Sequence, residues 1–526
     1  MAIIASPGCS KSKGGAPDLI AYGGQAVAIH ERTDVRREVL SLPFRENIWT
    51  IPIRIDGGIK RITFSGEYLL VETKTNELVA VNRFNGLTVW RYAIGPGRGL
   101  DFPPAVALPG VAEELNYHRS ILDRRPIELD LERKPKSPED EEELKKREKR
   151  IKDLEDEING AKSRLRQLPD DDVIFLVAND YLSCIERESM KRLWSRRLSF
   201  IPSAPPFASR TAIFIPSYEL DRVYALDTQN MGAEITYYKA AADDTLDCDV
   251  VNRPIFTSPA LIFVSQSGYI YSYNTNSRSL SWAYKTGGPI KADPVIYEHY
   301  YPWLEKVHPD GSVTRTTVPC DVKLHYSAPP LQVSVAERMQ IAKEKTAERS
   351  MFLWLAKQQE QGNNVLLNLR NFLFVGSSDL SFYALDANEG RVEWKYEVGG
   401  LIKSPAYARD DTVYVKTENG ALFALDVRPM HRNARGEIIG EKRIGALRWR
   451  LPLGEKFLLK NHKSVYVLGP DREIYAMDEY SGAVKGRYKT ALLTFLLSNT
   501  LDDIFYAATD DGYLYALREP TEKTPQ

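Results

Sequence analysis

Cysteine is scarce in this chain. Cys9, Cys184, Cys248 and Cys320 are the four among 526 residues, too scattered for a disulfide framework and without the CxxC spacing of a zinc site. No run of ~18 apolar residues is present, which excludes a membrane-spanning helix. Charge of one sign is not in excess: 70 Lys and Arg stand against 71 Asp and Glu, and the isoelectric point of 6.7 leaves no basic surplus for nucleic acid. The seven histidines show neither HExxH nor metal-ligand spacing, and no GxSxG elbow occurs. These absences leave no catalytic constellation.

Aromatic and β-favouring residues are plentiful. Twenty-eight Tyr, eight Trp and 43% apolar residues suit a well-packed body of strands. One pattern returns along the chain: two β-rich runs, a small residue followed by an acid or amide, a turn, then an aromatic strand. Its clearest copy runs Phe372-Leu373-Phe374-Val375-Gly376, Phe382-Tyr383-Ala384-Leu385-Asp386, Gly390, Trp394-Lys395-Tyr396. Eight anchor positions, Asn82, Glu186, Asp227, Asn274, Asp386, Asp426, Asp478 and Arg518, give eight units. From Asn82 to Trp90, Glu186 to Trp194, Asn274 to Trp282 and Asp386 to Trp394 the step is always eight residues. Anchor-to-anchor gaps of 41, 47, 40, 52 and 40 residues match one four-stranded propeller blade, and two gaps of 104 and 112 imply insertions.

Within a unit the expected strands are A to D. A follows a proline step, as at Thr257-Ser258-Pro259 and Lys403-Ser404-Pro405; B is a run such as Val413-Tyr414-Val415; C ends on the anchor; D carries the tryptophan. Glu418-Asn419-Gly420 and Asp510-Asp511-Gly512 supply B–C hairpin turns. Asp502-Asp503 and Asp510-Asp511 read as turn acids, with a calcium site as the alternative. Gly95-Pro96-Gly97-Arg98-Gly99 follows a D strand, lacks the Lys-Ser/Thr of a phosphate loop and reads as a blade-to-blade turn. The last unit has no D strand, whereas Asn47-Ile48-Trp49-Thr50-Ile51 is an orphan strand with a D-type tryptophan. Pairing the two closes the ring and removes exposed edges. The expected fold is all-β: an eight-bladed propeller of four-stranded antiparallel blades over residues 41–526, closed by an N-terminal strand, with helical insertions on one face.

The step Ala384-Leu385-Asp386-Ala387-Asn388-Glu389-Gly390 with Trp394, and its weaker copy Asn82-Arg83-Phe84-Asn85-Gly86 with Trp90, resemble the tryptophan-docking motif of quinoprotein (PQQ-like) propeller repeats. Both lack the family's Thr before Gly. Motif and blade count resemble most the non-enzymatic BamB-like proteins of that family, and the matching repeats cover about two-thirds of the chain. On this resemblance Trp49, Trp90, Trp194, Trp282, Trp394 and Trp449, with Asp227, Asp386, Asp426 and Asp478, are structural repeat residues. Cys184 takes the small-residue place and is expected to be buried, with Glu186 fixing the turn as Asp386 and Asp426 would.

Three insertions interrupt the units, at 107–170, 298–369 and 427–446. The first two fall between strands A and B and the third between C and D, so all three emerge on one rim. The first is expected to hold a helix from Ser137 and Pro138 to Pro169. Its apolar seam of Leu144, Ile151, Leu154, Ile158, Ala161, Leu165 and Leu168 needs a partner helix. A second helix from Ser334, with Glu337 completing a capping box, to Gly362 offers an intramolecular partner; docking on another protein is the alternative. Ile151, Leu154, Ile158, Leu165 and Leu168 are therefore the candidate partner-binding residues.

Residues 1–40 read as a tail. Ile3-Ile4-Ala5-Ser6-Pro7-Gly8-Cys9-Ser10, followed by a polar linker, resembles the end of a bacterial lipoprotein signal, which makes Cys9 the lipidation candidate. The expected function is a non-enzymatic scaffold that binds protein partners through its helix-bearing face. It would sit in the cell envelope as a lipid-anchored protein, with a cytoplasmic location as the alternative. A PQQ- and calcium-dependent dehydrogenase shares the fold, but many such enzymes stack the quinone on an adjacent-cysteine disulfide and no Cys-Cys pair exists here. No cofactor is expected. Binding of an extended polysaccharide or peptide across a Tyr-rich face is the remaining reading.

Overall fold

The computed structural model describes residues 32–520 apart from 45, 50–51, 66–67, 95–98, 108–172, 179, 187–189, 210–211, 219–220, 229, 241–249, 258, 308–312, 318–363, 411, 431–443 and 462–463. Alternating apolar strands joined by short turns build an eight-bladed propeller of mostly four-stranded antiparallel sheets. Blade 1 comprises Ile59–Ser65, Tyr68–Thr73, Glu77–Asn82 and Thr88–Ala93. Blade 2 comprises Ala105–Ala107, Val173–Ala178, Tyr181–Glu186 and Arg192–Arg197, and blade 3 Phe207–Ala208, Ala212–Pro216, Arg222–Asp227 and Glu234–Lys239. Blade 4 comprises Ile255–Thr257, Ala260–Val264, Tyr269–Asn274 and Ser279–Lys285, and blade 5 Val295–Val307, Asn364–Gly376, Ser381–Asp386 and Val392–Glu397. Blade 6 comprises Tyr407–Arg409, Thr412–Lys416, Ala421–Met430 and Ile444–Pro452, and blade 7 Lys456–Lys460, Val465–Leu468, Glu473–Met477 and Val484–Lys489. Blade 8 supplies Phe495–Leu496, Phe505–Ala508 and Tyr513–Arg518, and its outer edge pairs with Glu46–Asn47 and Ile53–Arg54.

The core is divided into eight apolar clusters, each between successive blades. One of them joins Tyr506, Leu514 and Ala516 of blade 8 to Leu69, Val79 and Val81 of blade 1, with Trp49 and Ile55 between them. Both faces of a blade are covered by neighbours, so its middle strands read as continuous apolar runs such as Ala212–Pro216 and Ser381–Asp386, buried throughout.

The C–D turn explains four of the anchors. The side-chain oxygen of Asn82 accepts the N–H groups of Phe84 and Asn85, Asn274 does the same for Asn276 and Ser277, Asp386 for Asn388 and Glu389, and Asp478 for Tyr480 and Ser481. These are Asx turns, which short acid and amide side chains form by mimicking a backbone carbonyl. Four residues after the anchor the backbone turns left-handed, and Gly86, Gly390 and Gly482 occupy that place. Met190 and Arg278 stand at the same place with φ of 54° and 57°.

Those glycines have a second role. A Cβ on Gly86 would lie 2.7 Å from the Trp49 ring, one on Gly390 2.4 Å from Trp282, and one on Gly482 2.5 Å from Trp449. Each tryptophan therefore lies on the C–D turn of the next blade, where a hydrogen on the α-carbon is all that fits. The contact is completed by an indole N–H bond to the carbonyl after the anchor: Trp49 to Arg83 at 3.0 Å, Trp394 to Val427 at 2.7 Å and Trp449 to Glu479 at 2.8 Å. Trp282 Nε1 finds no acceptor among the described residues, so its contact with Gly390 is packing alone.

Several expectations need correction. Thr257 pairs with Ala260, so Pro259 lies in the A–B turn of blade 4, and strand A is Ile255–Thr257 after Pro254. Asp426 does not end its strand at a tight turn: the strand runs on to Met430, and the Asp426 carboxylate pairs with Arg448 at 2.7 Å. The tail expected at 1–40 ends early, because Thr33–Ser41 is a helix, here α1, whose Val35 and Val39 are buried against blades 7 and 8. The 298–369 insertion starts and ends as strand, with Glu298 to Glu305 pairing in register with Asn371 to Asn364, and Val313–Thr317 adding to its edge. Pro302 and the aromatic run Tyr300-Tyr301-Pro302-Trp303 are incompatible with a helix interior and suit a strand. The helices expected at 137–169 and 334–362, and the candidate residues on the first, lie outside the described residues, as does Cys9.

Gly86→Ala is expected to lower stability by more than ~1 kcal/mol in urea unfolding, through both the left-handed φ and the Trp49 contact, whereas Arg278→Gly is expected to raise it by about 0.5–1 kcal/mol.

Candidate functional site

Antiparallel alternation puts A–B and C–D connections on one rim of the ring and B–C and D–A connections on the other. The stretches 108–172, 318–363 and 431–443 all depart from the first rim. That rim also carries the buried charges. Arg83 of blade 1 bonds the Asp502 carboxylate in the A–B loop of blade 8, and Arg409 of blade 6 bonds the Asp502 carbonyl. Between blades 6 and 7, Arg448 joins Asp426 to Glu479 at 2.7 and 3.2 Å, and Lys460 joins Glu479 to Asp410 at 2.7 and 2.6 Å. Thr412 donates to Glu479 at 2.9 Å and Arg448 lies over the Tyr480 ring. Buried ions need such partners, and here each serves to join blades.

On the second rim Glu72 is buried and accepts from Lys60 at 2.7 Å, from Arg61, and from the Leu100 N–H at 3.0 Å, tying blade 1 to the entrance of blade 2. Asp510 and Asp511, expected in a turn, sit there and pair with Lys74 and Arg32. Among the described residues no three His, Cys, Asp or Glu side chains are grouped to hold a metal. Cys184 lies opposite Trp194 and is buried, and desolvation pushes its thiol up to about 12. A thiol held there is almost entirely protonated near neutrality, which makes it an inert core residue.

The second rim exposes an apolar arc at blades 2 and 3. Ile201 is 58% exposed, Tyr218 57% and Tyr181 47%. The Tyr218 N–H bonds the Ile201 carbonyl at 2.9 Å, and on the same rim Tyr181 pairs across the ladder with Arg197 while Leu198 N–H bonds the Asp180 carbonyl at 2.7 Å. Arg197 is fixed by Asp180 at 2.5 Å, which lowers the Asp180 pKa. The outer strand of blade 2 continues the surface with exposed Arg192, Leu193 and Arg196. Sequence reasoning missed this arc because Ile201 and Tyr218 look like core residues until the loops are placed; the three arginines in Arg192–Arg197 were its one visible signal.

A cleft of about 480 Å³ lies between blades 5 and 6, lined by Tyr396, Phe423, Asn419, Leu447 and Arg450, with the Arg450 guanidinium 5.4 Å over the Phe423 ring. It is an open lateral groove between outer strands.

Residues 353–432 match the family model described as outer membrane protein assembly factor BamB. That matched stretch contains the repeat from Phe372 to Trp394. Among solved structures, BamB from Moraxella catarrhalis is similar at 11% identity with a TM-score of 0.49, covering 89% of this chain and 98% of that one. The computationally designed Ika8 protein is similar at 9% identity with a TM-score of 0.44, covering 90% of this chain and 99% of that one. No curated protein matches the sequence.

Two measurements test this propeller body. Asp478 is held at about 2, chiefly by the Ser481 N–H, so its contribution to stability is present above its ordinary 3.8 and is lost as pH falls from there through about 2. Asp478→Asn is expected to flatten the unfolding midpoint over that window and leave the profile above pH 5 unchanged in shape. Cys184 is expected to resist iodoacetamide at pH 8 in the native chain and to react on unfolding, as peptide mapping would show.

Proposed function

We propose that this protein is a non-enzymatic propeller scaffold that docks protein partners. The exposed arc of Tyr181, Ile201 and Tyr218, flanked by Arg196 and Arg197, is the observation that carries this reading. Tyr, Arg and large aliphatic side chains held on rigid turns are what protein interfaces use as anchors, and an apolar patch rimmed by cations fits an apolar surface bordered by acids. A scaffold bridges, and the insertion-bearing rim provides the second face, with Ile151, Leu154, Ile158, Leu165 and Leu168 as the residues a partner helix would meet. The family model's description as an outer-membrane assembly factor supports a place in the cell envelope. Lipidation at Cys9 would hold the chain there, and the pairing of Glu46–Asn47 with Leu517 and Arg518 would close the ring.

Capture from native membranes separates the two faces. Ile201→Asp is expected to weaken recovery of one partner set at least about tenfold, and deletion of 137–169 to lose a different set. Ile201 is exposed, so its substitution is expected to change unfolding free energy by no more than about 0.5 kcal/mol. Equal capture by the intact protein and both variants would refute docking at these surfaces.

A further inference from the structure

The seam between blades 7 and 8 lacks the outer-strand tryptophan of most blades, as does blade 3, where Thr236 stands opposite Ala225. Blades 1, 2, 4, 5 and 6 each place a tryptophan opposite a small residue of strand C: Trp90 with Ala80, Trp194 with Cys184, Trp282 with Ser272, Trp394 with Ala384 and Trp449 with Ala424. Blade 7 places Gly486 opposite Ala476. A Cβ on Gly486 would meet the Tyr488 ring, and the chain's own N-terminal segment joins the apolar cluster of this seam, which includes Ala476. Val35, Val39, Leu42 and Phe44 pack among Leu459, Tyr466, Leu493 and Phe505, with the Phe44 ring 4.6 Å from both Tyr466 and Phe505.

One polar contact fixes the helix. The Glu38 carboxylate accepts three successive backbone N–H groups, from Ala491 at 3.0 Å, Leu492 at 2.8 Å and Leu493 at 3.1 Å, in the strand connection from blade 7 to blade 8. Successive amides converging on one anion form a nest, a site that binds carboxylates by geometry. α1 itself has nine residues and no side-chain cap at its N-terminus. Helices shorter than about 12–15 residues are marginal in isolation, so α1 is helical because it is seated. Its remaining tie, from Arg32 to Asp511 at 3.5 Å, joins two exposed side chains and contributes little.

We propose that residues 32–44 are a detachable clasp over a helix-binding groove. The segment leaves its seat as one cooperative unit, and its departure uncovers apolar side chains of blades 7 and 8 beside a vacant amide nest. The groove so exposed takes an amphipathic helix with the spacing of Val35, Glu38 and Val39: two apolar residues one turn apart, with a carboxylate just before the second. This surface lies away from the blade 2–3 arc, and the inference does not rest on that arc's role.

Hydrogen exchange on the full chain tests it. Amides of residues 33–42 and of Leu492 and Leu493 are expected to exchange as one group, at least about tenfold faster than those of 381–386 in blade 5. Glu38→Gln is expected to quicken that group by about a further tenfold, while Leu40→Ala, at an exposed position of the same helix, leaves it unchanged. A synthetic peptide of residues 32–44 in excess is expected to slow Leu492 and Leu493 again in the Glu38→Gln chain. Exchange of the group at the rate of 381–386, indifference to Glu38→Gln, or no protection by the peptide would each overturn the proposal.

Discussion

The structure depends on one recurring contact: an outer-strand side chain lying on the C–D turn of the following blade. A blade is a small twisted sheet that cannot bury both of its faces alone, so stability resides in the seams. The anchor carboxylate or amide shapes the turn, the left-handed residue after it clears space, and the indole fills that space and donates to the carbonyl beside it. Trp449 shows all three parts, with Asp478 making the turn, Gly482 giving room and the Glu479 carbonyl accepting. Because local chemistry sets each contact, divergence elsewhere in the blade is tolerated, and so are long insertions placed between strands.

The exceptions to that rule are informative. Blade 7 has Gly486 in the tryptophan's place, and its seam with blade 8 holds the N-terminal helix, fixed by a carboxylate in an amide nest. Where Asp426 gives up its turn to a strand that runs on to Met430, Arg448, Glu479, Lys460 and Asp410 join blades 6 and 7 through buried ion pairs. Removing one partner from such a cluster leaves a buried charge uncompensated, so these residues are held by structural need. The buried charges described on both rims are engaged with one another, and the exposed apolar groups lie on turns and outer strands. This distribution suits a body that presents surfaces.

The repeat chemistry was legible because it is local. An Asx turn, a glycine four residues on and a tryptophan eight residues on can be read without knowing the fold, and partial copies of that signature together with the anchor spacing locate the eight blades. Register at strand ends was less accessible: Pro259 marks a turn between strands A and B, and proline alone cannot say on which side of a strand it falls. α1 was missed because Val35, Val39 and Leu42 give a weak apolar stripe, and the helix owes its existence to a seat built 450 residues later around Glu38's amide partners. The Arg83 to Asp502 pair, 419 residues apart, and the exposure of Ile201 and Tyr218 follow from ring geometry and have no local signature.

The central claim is the proposed one, that function resides on the rims and outer surfaces of the ring and not on a quinone in its channel. Native mass spectrometry of the protein purified from its native source tests this most directly. The account predicts the mass of the polypeptide with its covalent modifications and any protein partner, and no quinone or calcium adduct. A stoichiometric quinone that survives desalting, accompanied by calcium, would contradict it.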